Sequence, residues 1–214
     1  MPGTTILLGR EIGTLAGQTD KVIEPGTAGN LFLPDLSISV KQSLKQENWN
    51  WLELDCDHIN CESIVNTIRE LSPKMIIYSG YGNQLVGTQL LEMGIPFLHM
   101  HSGWLPKYKG STAFYYSWIN EQYCGVSAFY LRIGIDEGPI VLRKKYPLPQ
   151  AGVDPDYIYD CAIRADTLIE VMQGIIQTGT IPAGQAQAEL GETYYVIHPL
   201  LKHLARLSEL PSTI

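Results

Sequence analysis

Along the chain, short apolar runs alternate with stretches of helical period. Thr4 to Leu8 (TTILL) reads as a buried strand ended by Gly9. Arg10 to Asn30 is rich in Gly, Thr and Pro and predicts no element, while Leu31 to Gln46 carries a weak helical period that opens near Pro34. Trp51 to Leu54 (WLEL) is strand-like. Cys61 to Leu71 then sets Ile64, Val65, Ile68 and Leu71 at helical spacing until Ser72-Pro73 stops it. Lys74 to Ser79 (KMIIYS) predicts a second buried strand and Gln84 to Glu92 a helix with Gly94 just past its end. Phe97 to His101 predicts a third strand. Strand and helix alternating in this way describe a parallel sheet with helices on its faces.

The second half changes character. Thr112 to Asn120 (TAFYYSWIN) reads as an aromatic-rich helix whose Tyr115, Tyr116 and Trp118 are core. Val126 to Ile133 and Pro139 to Tyr146 are two strands joined by the turn GIDEG. Asp154-Pro155 opens a long helix, with Asp at the N-cap and Pro first inside. Its expected core stripe is Ile158, Cys161, Ala165, Leu168, Ile169, Met172 and Ile176, and Gly179 closes it. Thr193 to Ile197 predicts a short strand before a final amphipathic helix. The fold class expected is α/β, a small Rossmann-like, mostly parallel sheet with flanking helices and mixed strands in the second half. One domain over residues 1–190 and a short strand-and-helix tail over 191–214 complete the expectation.

The chain has 214 residues, enough to bury a core of its own. A net charge of −7 argues against nucleic acid held mainly through phosphates. The small basic clusters at Lys107 and Lys109 and at Arg143, Lys144 and Lys145 read as solvated faces. The opening apolar run is too short for a signal peptide, and no window approaches the roughly 18 apolar residues of a membrane span. The four cysteines, Cys56, Cys61, Cys124 and Cys161, form no C-x-x-C pair and read as reduced, mostly buried thiols of a cytoplasmic protein.

The chemistry concentrates in HMHSGWLPKYKGS, residues 99–111. On a strand, His99 and His101 project from one face while Leu98 and Met100 take the other. They stand at the carboxyl end of a strand, where ligands of parallel α/β sheets collect. Three readings are open: a metal site with Asp136 and, more remotely, His58; an acid–base or oxyanion site; or two histidines without chemistry. His198 reads as structural.

Asp136 follows His101 by 35 residues, inside IGIDEGPI. Together the two segments resemble the folate-dependent formyltransferases, the family of glycinamide ribonucleotide, methionyl-tRNA and sugar N-formyltransferases. His101 matches the family histidine. Leu105-Pro106 with Tyr108-Lys109-Gly110 matches its loop, and Asp136-Glu137-Gly138-Pro139-Ile140 its second motif. The resemblance runs from about Pro73 to Tyr146, with His99 where the family has asparagine and Ser102-Gly103 in place of Pro-Ser.

The resemblance implies a formyltransferase-like catalytic domain and formyl transfer from the co-substrate 10-formyltetrahydrofolate to an amine. Asp136 would take a proton, His101 would stabilise the oxyanion and help protonate the leaving nitrogen, and His99 would be a second oxyanion donor. The pterin would lie against the backbone of Tyr81, Gly82, Asn83 and Leu85 on one side and of Ile133, Gly134 and Ile135 on the other. The length, short of the extra domain of tRNA-directed members, and the acidic balance set the expected acceptor as a small molecule, for example a nucleotide-linked amino sugar, rather than nucleic acid or membrane. Pairing into a homodimer is allowed. The alternatives are a metal-dependent hydrolase built on His99, His101 and Asp136, and a non-catalytic folate-binding relative.

Overall fold

The computed structural model describes residues 3–10, 29–33, 38–80, 84–188 and 191–208. Two short parallel strands, β1 (Thr5–Leu8) and β2 (Asn50–Glu53), pair with each other. A four-stranded sheet follows in the order β3-β4-β6-β7, with β3 (Ile76–Tyr78), β4 (Phe97–His101), β6 (Cys124–Tyr130) and β7 (Ile140–Tyr146). Its first pair is parallel and the other two antiparallel. A third, parallel pair joins β5 (Tyr108–Gly110) to β8 (Glu192–Tyr194). The helices are α1 (Val40–Gln46), α2 (Glu62–Leu71), α3 (Thr88–Leu91), α4 (Ala113–Glu121), α5 (Asp160–Thr178) and α6 (Pro199–Leu207). The mixed α/β class is the expected one, and among the described residues no helix is long and apolar enough to cross a membrane.

Strand β4 divides the interior. Leu98 and Met100 enter a core closed by Phe114, Tyr115, Trp118, Val126, Ile158 and Ile163. Phe97, on the opposite face, enters a second cluster with Ile64, Val65 and Ile68 of α2 and Leu90 of α3. Tyr115 and Trp118 are fully buried and stack with centroids 5.6 Å apart, so these two are core, while Tyr116 packs half-buried against that core. The tail is built into the same core: Ile197 and Ala205 are buried, and the Ile197 N–H donates to Thr112 Oγ1 at 2.8 Å.

Several elements depart from the sequence pattern, each for a visible reason. The helix expected from Pro34, which lies outside the described residues, begins only at Val40. A capping box sets that start: Ser39 Oγ accepts from Gln42 N, and Gln42 Oε1 accepts from Ser39 N. The expected helix from Gln84 to Glu92 shrinks to Thr88–Leu91 because residues 84–87 bond to the loop of residues 57–60 instead. Gln84 Nε2 donates to the Asp57 carbonyl, Ile59 N donates to Gln84 Oε1, and Asn60 binds both Leu85 O and Gly87 N. Strand β3 is an edge strand, so Ile77 is 42% exposed rather than buried.

Helix α5 buries Ala162, Ile163, Thr167 and Val171; of the expected stripe, Ile158 in the turn before it is buried and Leu168 packs half-buried against the core, while Cys161, Ile169 and Ile176 are exposed. A π-helical turn at Pro155–Tyr159 widens its entry and rotates the face it offers. Asp154 still caps that turn and Gly179 still closes the helix in the left-handed region. The cysteine expectation fails where Cys56 and Cys61, 6.4 Å apart at Cα, form a disulfide across the 57–60 loop. Cys124 is a buried thiol and Cys161 an exposed one.

The rotated stripe is testable by urea unfolding. Ile163→Ala should cost about 2–5 kcal/mol, whereas Ile169→Ala, at a half-exposed position, should fall within about 1 kcal/mol of wild type.

Candidate active site

Strand β4 places His99 and His101 on one face, opposite Phe129 and Ser127 of β6. Both imidazoles meet the Phe129 ring edge-on, at 5.9 and 6.3 Å. His101 is buried. Its Nε2 lies 2.8 Å from the Tyr108 carbonyl, which can only accept, so Nε2 carries a proton. Its Nδ1 faces Asp136 Oδ2 at 3.5 Å, beyond a formed hydrogen bond but within ion-pair range. Gly103 makes the Tyr108 contact sterically feasible, since a Cβ there would collide with His101 Nε2 and the Tyr108 oxygen.

Asp136 adopts a left-handed backbone, φ 55°, and its Oδ2 accepts the Gly110 N–H at 2.7 Å. Gly110 has φ 89°, and a Cβ there would run into the Tyr194 carbonyl of β8. Next to these two residues, Lys109 Nζ meets Glu137 Oε1 at 3.2 Å with the lysine side chain only 5% exposed. Lys109 therefore leaves the solvated basic face expected of it. Lys107 pairs with Glu121, and Lys144 with Asp166 and Glu170.

His99 is held differently. Its Nδ1 lies 3.0 Å from the Tyr78 carbonyl, so in the neutral ring Nδ1 carries the proton and Nε2 bears a lone pair. Burial pushes its pKa down, more than the Tyr78 hydrogen bond holds it up, with nearby His101 lowering it further. Neutral, the ring can accept at Nε2 but not donate there, which bears on the oxyanion-donor role expected of it. Tyr78 also donates its hydroxyl to the Gln84 carbonyl at 3.2 Å, so one residue fixes both His99 and the loop before α3.

Of the remaining expected residues, Leu85, Ile133 and Ile135 are 66%, 75% and 50% exposed, and Gly134 lies between the two isoleucines on the turn that carries Asp136. Tyr81, Gly82 and Asn83 lie outside the described residues. The structure thus joins His101 to Asp136 and ranges His99 beside them, while Gln84, the residue before Leu85, is linked to His99 through Tyr78. Sequence reasoning passed over Tyr78, Ser127 and Gln187. Buried Ser127 accepts from Leu105 N and donates to Gly103 O, pinning the loop after β4. Gln187 bonds the Asp136 turn.

A cavity of about 160 Å³ opens beside Ser102, lined also by Thr112, Phe114, Asp156 and Asp160. A larger cleft of about 340 Å³, lined by Gly9, Arg10, Lys41, Glu53, Leu54 and Asp55, shares no residue with the His101–Asp136 pair. Among the described residues no group of three or more His, Cys, Asp and Glu could hold a metal ion. The hydrolase alternative gains no support: Nε2 of His101 and Nδ1 of His99 are both committed to carbonyls, and His58 Nδ1 accepts from Asn60 N.

The fold is that of solved formyltransferases. The methionyl-tRNA formyltransferase of Clostridium thermocellum superposes with a TM-score of 0.57 at 15% identity, over 74% of this chain and 67% of that one. The formyltransferase PseJ of Anoxybacillus kamchatkensis, solved with UDP-4,6-dideoxy-4-formamido-L-AltNAc and tetrahydrofolate, gives 0.54 at 17% identity over 98% and 93%. In sequence, the methionyl-tRNA formyltransferase of Alkaliphilus metalliredigens is 32% identical over 139 residues, 62% of this chain and 42% of that protein. The chain therefore spans less than half the length of that relative. Residues 34–160 match the family model for formyl transferase, and the chain belongs to that family.

The depressed His99 pKa sets a pH dependence of stability. The unfolded chain binds the proton more readily, so this contribution is complete above about pH 6.5, the unfolded value, and is lost as pH falls through the lower folded value. Urea midpoints measured from pH 7.5 down to 5 should fall less steeply in His99→Gln than in wild type.

Proposed function

We propose that the chain is an N-formyltransferase moving the formyl group of 10-formyltetrahydrofolate to the amine of a small molecule, with a nucleotide-linked amino sugar as the favoured acceptor class. The observation that carries this reading is the His101–Asp136 pair, drawn from two separated motifs and held by the Tyr108 carbonyl and the Gly110 N–H. The likeness to PseJ over nearly the whole of both chains supports the acceptor class.

The exposed Leu85, Ile133 and Ile135 are bare apolar side chains flanking backbone groups, a fit for the flat ring of a pterin. Because the 3.5 Å gap leaves Nδ1 of His101 without a formed bond, that nitrogen is open to receive the amine's proton from Asp136 and pass it to the leaving folate nitrogen. His99, neutral and with Nε2 bare, accepts a hydrogen bond from the attacking amine and aims its lone pair. Asp136 takes the amine proton, directly or through a water, as the new N–C bond forms and the folate N–C bond breaks.

Metal-free protein titrated calorimetrically with 5-formyltetrahydrofolate should bind with micromolar affinity, about −8 kcal/mol. Asp136→Asn should keep that binding and lose roughly 10²–10⁴-fold in turnover of 10-formyltetrahydrofolate over a panel of nucleotide-linked amino sugars. Absent binding, or wild-type turnover in Asp136→Asn, overturns the reading. Transfer to methionyl-tRNA in place of the sugars overturns the acceptor class.

A further inference from the structure

The carboxylate of Asp136 can serve His101 only if its backbone is fixed, and the Gly110 and Lys109 contacts of this turn hold the side chains of Asp136 and Glu137 rather than the Asp136 peptide. The turn between β6 and β7 exposes Ile133 and Ile135, so these two side chains do not anchor it, and Asp136 sits in a region that side-chain-bearing residues seldom adopt. A direct hold on the peptide comes from 51 residues further along the chain. Gln187 Nε2 lies 2.8 Å from the Asp136 carbonyl and 2.8 Å from the Gly138 carbonyl.

A primary amide suits this task. Its two N–H donors diverge from one planar nitrogen and can meet two carbonyls of one turn at once. The segment bearing Gln187 is itself registered: Gln185 exchanges two backbone hydrogen bonds with Ile140, the first residue of β7, at 2.7 and 2.8 Å. Residues 185 and 187 thereby ride on the strand that leaves the turn. The amide oxygen of Gln187 is buried and has no partner among the described residues, so the side chain is oriented by its nitrogen alone.

We propose that Gln187 is a positioning residue for Asp136, setting through the turn backbone where the carboxylate stands between Gly110 and His101. Its part in formyl transfer rests on the function proposed above, but its hold on Asp136 does not. The Gly110 amide reports that hold, because it donates to Asp136 Oδ2 and no hydrogen bond links it to Gln187.

The test is the ¹⁵N–¹H resonance and hydrogen exchange of the Gly110 amide in full-length wild type, Asp136→Ala, Gln187→Met and Gln187→Glu. Asp136→Ala defines the amide without its carboxylate. Gln187→Met, of similar length but without donors, should move Gly110 toward that position and speed its exchange by about tenfold, on the order of one net hydrogen bond. Amides of Met100 and Ala128 in the central sheet should stay in place. Gln187→Glu, which cannot offer both carbonyls a donor from one nitrogen, should move Gly110 the same way and serves if the Met variant does not fold. A Gly110 amide unmoved in the folded Gln187 variants, or moved only together with Met100 and Ala128, overturns the inference. A protein that fails to bind 5-formyltetrahydrofolate overturns the proposed function and leaves this result standing.

Discussion

The carboxylate of Asp136 is the junction on which the site depends. Its Oδ2 takes the N–H of Gly110 and stands across from His101 Nδ1, so one group ties β5 and the end of β4 to the turn between β6 and β7. A mostly buried carboxylate without donors carries a large desolvation cost, and a hydrogen bond to a charged group contributes about 1.5–3 kcal/mol. Meeting Asp136 thus brings three separate segments to one point. Strand β5 has no partner in the four-stranded sheet; it pairs with β8, and the tail is in this way held to the ground of the site.

What the sequence disclosed and what it hid follow from range. The histidine face was legible because strand geometry has a period of two, and Phe97 to His101 is the strand as expected. The pairing of His101 with Asp136 was legible because each lies in a motif segment. The Gln84 loop was misread as helix because its competitors, the Asn60 side chain, the Asp57 carbonyl and the Ile59 N–H, lie about 25 residues away, and local period carries no sign of them. The face of α5 was misread because a single π turn rotates everything after it, and the buried Thr167 is polar, its hydroxyl occupied by the Ile163 carbonyl and the Tyr146 phenol. Cys56 and Cys61 lacked the spacing of a familiar pair. Gln187 offered no signal at all.

His99 illustrates how a backbone contact decides what a side chain is able to do. A histidine in place of an asparagine looks like one donor exchanged for another. The Tyr78 carbonyl claims the Nδ1 proton, burial disfavours a second proton, and the nitrogen left over is an acceptor. The same residue, Tyr78, reaches Gln84 through its hydroxyl, so the ring's polarity and the placement of the loop before α3 share one support.

Most of the contacts that shape this site end on peptide groups: the oxygens of Tyr78, Tyr108, Asp136 and Gly138, and the nitrogen of Gly110. Every residue type supplies the carbonyl oxygens and every type but proline the N–H, so substitution can pass through the surrounding positions without erasing the arrangement. The exceptions are places such as Gly103 and Gly110, where main chains touch and no side chain fits. A scaffold made this way lets its spelling drift while its shape persists, as when 17% identity to PseJ accompanies overlap along almost the entire chain.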